Sequence, residues 1–205
     1  MRHVLLIGFG PFPGAPFNPS AILVEALARR RRPALAEVIC MTHVLATTYA
    51  AVDGDLPKLL AEKPDIVLMF GLGERRRELC IETRARNTVS LLLPDASGRR
   101  PRRGDILPNG PAALRGAAPF VDLLGALRGC PLPARLSRDA GRYLCNYAYW
   151  HALACVRDGQ PLVQFVHIPP IRFQRRRCGH RGPSFRLLVA AAERLLVALI
   201  AASRR

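Results

Sequence analysis

Lysine is nearly missing from this chain: Lys58 and Lys63 are the only two among 31 basic residues, and the rest are arginines. Acidic residues are also scarce, 15 in all, which leaves a formal net charge of +16. The arginines fall in short clusters at 29–32, 75–77, 99–103, 175–177 and 204–205, outside any helix-turn-helix, zinc-finger or RNP pattern. Charge of this kind warrants non-specific attraction only, so nucleic acid is not the expected partner. Six cysteines are present, at 40, 80, 130, 145, 155 and 178, but no two stand in C-x-x-C spacing. That absence argues against a structural zinc site or a dithiol redox centre; Cys178 and His180 offer two ligands without a second pair. A G-x-S-x-G stretch is also absent, which removes the nucleophile elbow of serine hydrolases. The most apolar stretch, 187–202, carries Glu193 and Arg194 in its middle and reads as a buried core helix, not a membrane span. The opening "MRHVLLIGF" enters a strand pattern without a cleavage site, so reduced thiols and a cytoplasmic location are expected.

What is present is a globular composition, half apolar and 22% charged, over 205 residues. That is the length of one domain with a substantial core. Apolar β-branched runs alternate with helical patterns. Strands are expected at 4–7, 37–45, 65–70, 134–137 and 162–168, with an extended strand or hairpin over 79–93. Helices are expected at 19–30 (Asn18 as N-cap, Pro19 first), 49–61, 119–127, 144–156 and from 183 onward. Residues 95–111, rich in Gly, Pro and Arg, read as a long loop with a functional or interface role. The alternation implies an α/β fold: one three-layer α/β/α sandwich over 1–205, with a mostly parallel twisted sheet.

In such folds ligands bind beyond the carboxyl ends of the strands, so the polar residues after each apolar run are the first candidates. The first run is followed by "GFGPFPG". Its glycine spacing is one residue longer than the dinucleotide fingerprint, and Pro11 and Pro13 remove backbone donors that a phosphate cradle needs. The loop offers Phe9 and Phe12 instead, either as walls of a slot for a flat ligand or as core plugs. Cys145 falls in the first turn of the 144–156 helix, where the helix dipole and free N–H groups favour the nucleophilic thiolate. A small buried thiol at a helix start is the alternative. His167 stands near the carboxyl end of a buried strand, as an active-site base would, or else as a satisfied core histidine. A Cys–His pair needs a third group to fix the imidazole tautomer. Glu82, a carboxylate in an otherwise apolar extended segment, is available for that role or for a solvent-facing position.

Five segments, in order, resemble the pyroglutamyl peptidase I family of cysteine peptidases. They are "GFGPF" with "NPS", "FGLG" with "ETRARN", "AGRYLCN", "FVHIP" and "GPS". The resemblance implies Cys145 as nucleophile, His167 as base and then acid, and Glu82 as the orienting carboxylate. It implies Phe9 and Phe12 as a sandwich for a lactam ring, with Asn18, Leu72, Tyr143 and Leu144 in or beside that pocket. It further implies a cofactor-free, metal-free intracellular enzyme acting on peptides with an N-terminal pyroglutamate, commonly assembled as a homotetramer. The chain departs from the family pattern at Gly10, at the "GERRR" turn, at Thr83 and Arg86 around Glu82, at Pro170 and at Phe185. A thiol amidohydrolase of different acyl specificity, or a basic binding protein of weakened catalysis, are the competing expectations.

Overall fold

A computed structural model describes residues 1–172 and 182–204. Cys178, His180, the arginines at 175–177 and Arg205 lie outside the described residues. The order is β1 (Arg2–Phe9), α1 (Pro19–Ala28), β2 (Val38–Leu45), α2 (Tyr49–Ala61), β3 (Ile66–Leu72), β4 (Leu79–Glu82) and β5 (Arg84–Arg86). Then come β6 (Ala113–Arg115), α3 (Phe120–Ala126), β7 (Ala134–Ser137), α4 (Leu144–Ala154), β8 (Leu162–Ile168) and α5 (Phe185–Ala202). Six strands form one sheet in the order β2-β1-β3-β8-β4-β7. The β2, β1, β3 and β8 ladders are parallel; β4 runs antiparallel to β8 and parallel to β7. The expected α/β architecture is therefore present, with its reversed strands on one side.

Local chemistry explains the helix starts. Asn18 caps α1 by accepting from the Ser20 N–H at 3.1 Å, Thr48 caps α2 through the Ala51 N–H at 3.1 Å, and Ser184 caps α5 through the Leu187 N–H at 3.2 Å. Each helix then buries its apolar side. Leu23, Val24 and Leu27 of α1, Leu123 of α3 and Leu195, Leu196 and Leu199 of α5 pack with Leu6, Leu68 and Val166 on one sheet face. Val52 and Leu56 of α2 and Ala148, Tyr149 and Trp150 of α4 pack with Ile7, Met69 and Phe165 on the other. A fully buried Leu or Ile contributes about 1.5–3 kcal/mol, so these two clusters supply most of what opposes chain entropy.

The sequence misled in one region. Residues 87–93, expected to continue a strand or hairpin, have no regular structure, whereas the unforeseen β6 pairs antiparallel with β5. Side chains replace the missing ladder. Asn87 Oδ1 accepts from the Ile106 and Leu107 N–H groups, both at 2.8 Å, and its Nδ2 donates to the Leu107 carbonyl at 2.7 Å. Buried Asp95 accepts from the N–H groups of Ser97, Arg99 and Tyr49. The backbone groups are thus satisfied without a strand. The alternation of apolar residues there leaves Leu92 82% exposed instead of building a buried face. Among the described residues no helix is long and apolar enough to cross a membrane.

Candidate active site

Strand pairing gathers the candidates on the α2/α4 face. His167 of β8 is paired with Gly71 of β3 on one side and with Cys80 of β4 on the other. Glu82 pairs with Phe165, so it shares a face with Cys80, Phe165 and His167. The Glu82 side chain is fully buried, and its Oε1 lies 2.8 Å from His167 Nδ1. The solvent-facing alternative for Glu82 is thereby removed. Its backbone carbonyl accepts from the Tyr149 hydroxyl and from Gln164 Nε2, each at 3.0 Å, which fixes the residue from both helix and strand. His167 stacks obliquely on Phe165, ring centroids 4.9 Å apart.

Cys145 enters from above this row, at the second position of α4. A Cβ added at Gly71 would stand 2.8 Å from its Sγ, and Gly71 is one strand spacing, about 4.8 Å, from His167. The bare glycine therefore clears the space that the sulfur occupies beside the imidazole. Tyr143 is the N-cap residue of α4, and no side chain caps that turn. The first N–H groups of the helix therefore have no side-chain cap among the described residues. Asn146, fully buried, holds the helix start to the neighbouring chain: its Oδ1 accepts from the Arg86 N–H at 2.8 Å and its Nδ2 donates to the Arg86 and Thr88 carbonyls at 2.8 and 2.9 Å.

The surroundings of Cys145 act against the helix dipole. Burial, and then the charge of Glu82, push the Cys145 thiol up to about 12, against the opposing pull of Arg76 and of its own backbone N–H. The helix dipole is outweighed by desolvation. A thiol shifted in that direction attacks as its proton passes to a base. Tyr143 is likewise pushed up to about 12, by burial and then by the charge of Asp95.

The remaining candidates separate into two groups. Phe12, half-buried, has its ring 6.2 Å from that of Tyr143, and the Tyr143 hydroxyl donates to the Pro94 carbonyl at 2.9 Å. Phe9 is buried, 6.0 Å from the Phe165 ring, so it packs the core beneath the site through a residue that touches His167. Asn18 is committed to the loop between them: besides its capping bond, its Nδ2 donates to the Gly10 carbonyl at 3.1 Å. That carbonyl also accepts from Thr47 Oγ1 at 2.9 Å. Leu144 buries its side chain in the α2/α4 core and presents only backbone at the helix start. Leu72 pairs with Ile168, while the β1–β3 ladder stops at Met69, which leaves its backbone edge unpaired toward β1 within the sheet.

Motif reading missed Gly71, Arg76, Asn146 and Phe165. Only Gly71, the penultimate residue of a fully buried strand, carried a local signal, that of close approach by another group. The departures near Glu82 find partners. Thr83 Oγ1 donates to the Ser137 carbonyl at 3.0 Å, and Arg86 pairs with the Asp139 carboxylate at 2.7 Å. Elsewhere Arg30 and Arg32 both pair with Glu193, and Arg99, Arg100, Arg102 and Arg103 border a cavity of about 240 Å³ beside Tyr49 and Tyr147.

A sequence model of the pyroglutamyl peptidase family matches residues 2–205. A pyrrolidone-carboxylate peptidase from Vibrio vulnificus is 31% identical over 202 residues, covering 96% of this chain and 92% of that protein. One from Pseudomonas fluorescens is 35% identical over 176 residues, covering 82% and 79%. The crystal structure of the pyrrolidone carboxyl peptidase from Thermus thermophilus superposes with a TM-score of 0.87 at 31% identity, covering 96% of this chain and all of the other. A buried Glu–His pair under a helix-borne cysteine, in a chain matched along its length by these relatives, belongs to the pyroglutamyl peptidase family of cysteine peptidases.

Proposed function

We propose that this chain removes an N-terminal pyroglutamyl residue from peptides, using Cys145 as nucleophile, His167 as base and then acid, and Glu82 as the group that orients His167. The observation that carries this reading is the row Gly71, His167, Cys80 with the Cys145 sulfur above it and the Glu82 carboxylate on His167 Nδ1.

With Nδ1 engaged by Glu82, Nε2 takes the Cys145 proton as Sγ attacks the carbonyl joining pyroglutamate to the next residue. The N–H groups of the uncapped α4 start receive the oxyanion, an interaction that lowers such barriers by ~3 kcal/mol. The C–N bond breaks as the imidazolium returns its proton to the departing amine, leaving a thioester. Water then adds with His167 as base, the C–S bond breaks, and Cys145 regains its proton. A thiol shifted upward suits this sequence, because attack and proton transfer are coupled.

Pyroglutamate has no free α-amine, so its pocket requires no carboxylate; a flat apolar slot and a few backbone partners suffice. Phe12 and Tyr143, above the floor made by Phe9 and Phe165, supply the slot, and the backbone of Leu72 and Leu144 supplies partners. Asn18 holds the Gly10 carbonyl and so the loop that carries Phe12. The whole chain acts as a single catalytic domain of a cytoplasmic homo-oligomer, a tetramer in the fullest form of the reading, and its chemistry calls for no cofactor.

The test is a panel of acyl amides of one fluorogenic amine. Release from the pyroglutamyl amide, at least about 100-fold faster than from prolyl and acetyl amides, is expected. Faster release from another small acyl amide points to a related amidohydrolase. Folded protein that releases none, but binds polyanions with steep salt dependence, is a basic binding protein.

A further inference from the structure

Arg76 sits where the "GERRR" turn folds back toward the sheet, its N–H donating to the Gly73 carbonyl at 2.8 Å. Its guanidinium makes three contacts, all inward. Nη2 lies 3.3 Å from Glu82 Oε1 and donates to the Asp139 carbonyl at 2.7 Å, while Nη1 lies 3.0 Å from Cys80 Sγ. Asp139 belongs to the loop that leads into the Cys145 helix. One cation therefore joins the carboxylate behind His167 to the segment that delivers the nucleophile.

The charge balance gives this contact a purpose. Glu82 is fully buried, and its Oε2 has no hydrogen-bond partner among the described residues. A carboxylate in that setting is costly unless a cation accompanies it. Among the described residues Arg76, mostly buried itself, is the permanent cation in contact with Glu82. It also favours the Cys145 thiolate that forms during attack.

We propose that Arg76 is a positioning residue of this active site: its guanidinium keeps the Glu82 carboxylate aimed at His167 while tying the Asp139 loop, and with it Cys145, to the same frame. The proposal rests on the reading of Glu82 as the group that orients His167. Gly73 is part of the device. A Cβ there would stand 2.8 Å from Arg76 Cγ and 3.0 Å from Cδ, so the arginine stem occupies the space a side chain would fill.

The test is kinetic and uses the full chain with the pyroglutamyl amide. Arg76→Met keeps the stem and removes the charge; kcat is expected to fall about 10- to 100-fold while KM moves by less than about threefold. Arg76→Lys should recover part of the loss, and Gly73→Ala, which leaves every charged group in place, should lower kcat several-fold. In a Glu82→Gln background, Arg76→Met should change kcat by no more than about twofold, because the group it serves has gone. Alkylation of Cys145 by iodoacetamide at fixed pH, followed by peptide mass spectrometry, should be slower in folded Arg76→Met than in the parent, whatever the substrate. Parent enzyme that turns over while Arg76→Met keeps its kcat, or an equal loss in the Glu82→Gln background, overturns the proposal. Parent enzyme without turnover instead defeats the reading of function, and unchanged alkylation would then overturn the role of Arg76 separately. Should Arg76→Met fail to fold, as judged by circular dichroism, Arg76→Lys and Gly73→Ala decide by the same comparisons.

Discussion

Two buried glutamates, Glu193 and Glu82, lie on opposite faces of the central sheet and are treated in opposite ways. On the α1/α5 face, Glu193 of α5 has both oxygens paired, Oε2 with Arg30 at 2.7 Å and Oε1 with Arg32 at 2.7 Å. Burial raises its proton affinity, but the hydrogen bonds from Arg32 and Arg30 prevail, and the carboxyl is held below its ordinary range. On the α2/α4 face, Glu82 directs one oxygen to both His167 and Arg76 and leaves the other without a partner among the described residues. The first arrangement serves stability. The second accepts an incompletely satisfied charge to hold a histidine, the kind of local cost that functional sites carry.

The comparison breaks if exchanging the two carboxylates produces similar phenotypes. Glu82→Gln is expected to lower kcat by roughly 10²- to 10³-fold, as loss of acid–base competence does, while the melting temperature stays the same or rises. Removal of a buried, half-satisfied charge costs the fold little. Glu193→Gln should leave kcat unchanged and cost about 1–2 kcal/mol of stability by denaturant titration; the value is modest because Arg30 and Arg32 are themselves 39% and 57% exposed. Its pH dependence has a definite sign. A carboxyl whose folded pKa is depressed stabilises above its unfolded value, about 4.3 for Glu, and loses that contribution as pH falls through the folded value. The parent should therefore lose stability more steeply below about pH 4.3 than Glu193→Gln does. A large activity loss in Glu193→Gln, or a stability loss in Glu82→Gln, would erase the distinction between the faces.

Much of the frame could be read from local pattern. The α2 bounds and the β7 and β8 bounds are those expected, and β3 runs two residues beyond its expected end, to Leu72. Buried β-branched runs and capping residues are local signals, and they survive into the fold. The region after Glu82 was not legible, because Asn87 reaches Ile106, 19 residues away, and Asp95, besides its local bonds, reaches the Tyr49 N–H, 46 residues away. The site divides in the same way. Cys145 and His167 were visible as a helix start and a strand end. Glu82 looked ambiguous until β4 turned it against β8. Gly71 and Arg76 gain meaning only through tertiary contacts with Cys145 and Glu82. The helix dipole at Cys145 is a local property legible in the sequence, whereas the desolvation that opposes it depends on tertiary packing.

The central claim is that Cys145 forms the covalent intermediate. It is tested most directly by treating the folded protein with a pyroglutamyl chloromethyl ketone and mapping the adduct by peptide mass spectrometry. One label per chain on Cys145, none on the other five cysteines, and loss of amide turnover in step with labelling are expected. Loss of turnover with Cys145 unmodified, or full turnover by Cys145→Ala, would contradict the account.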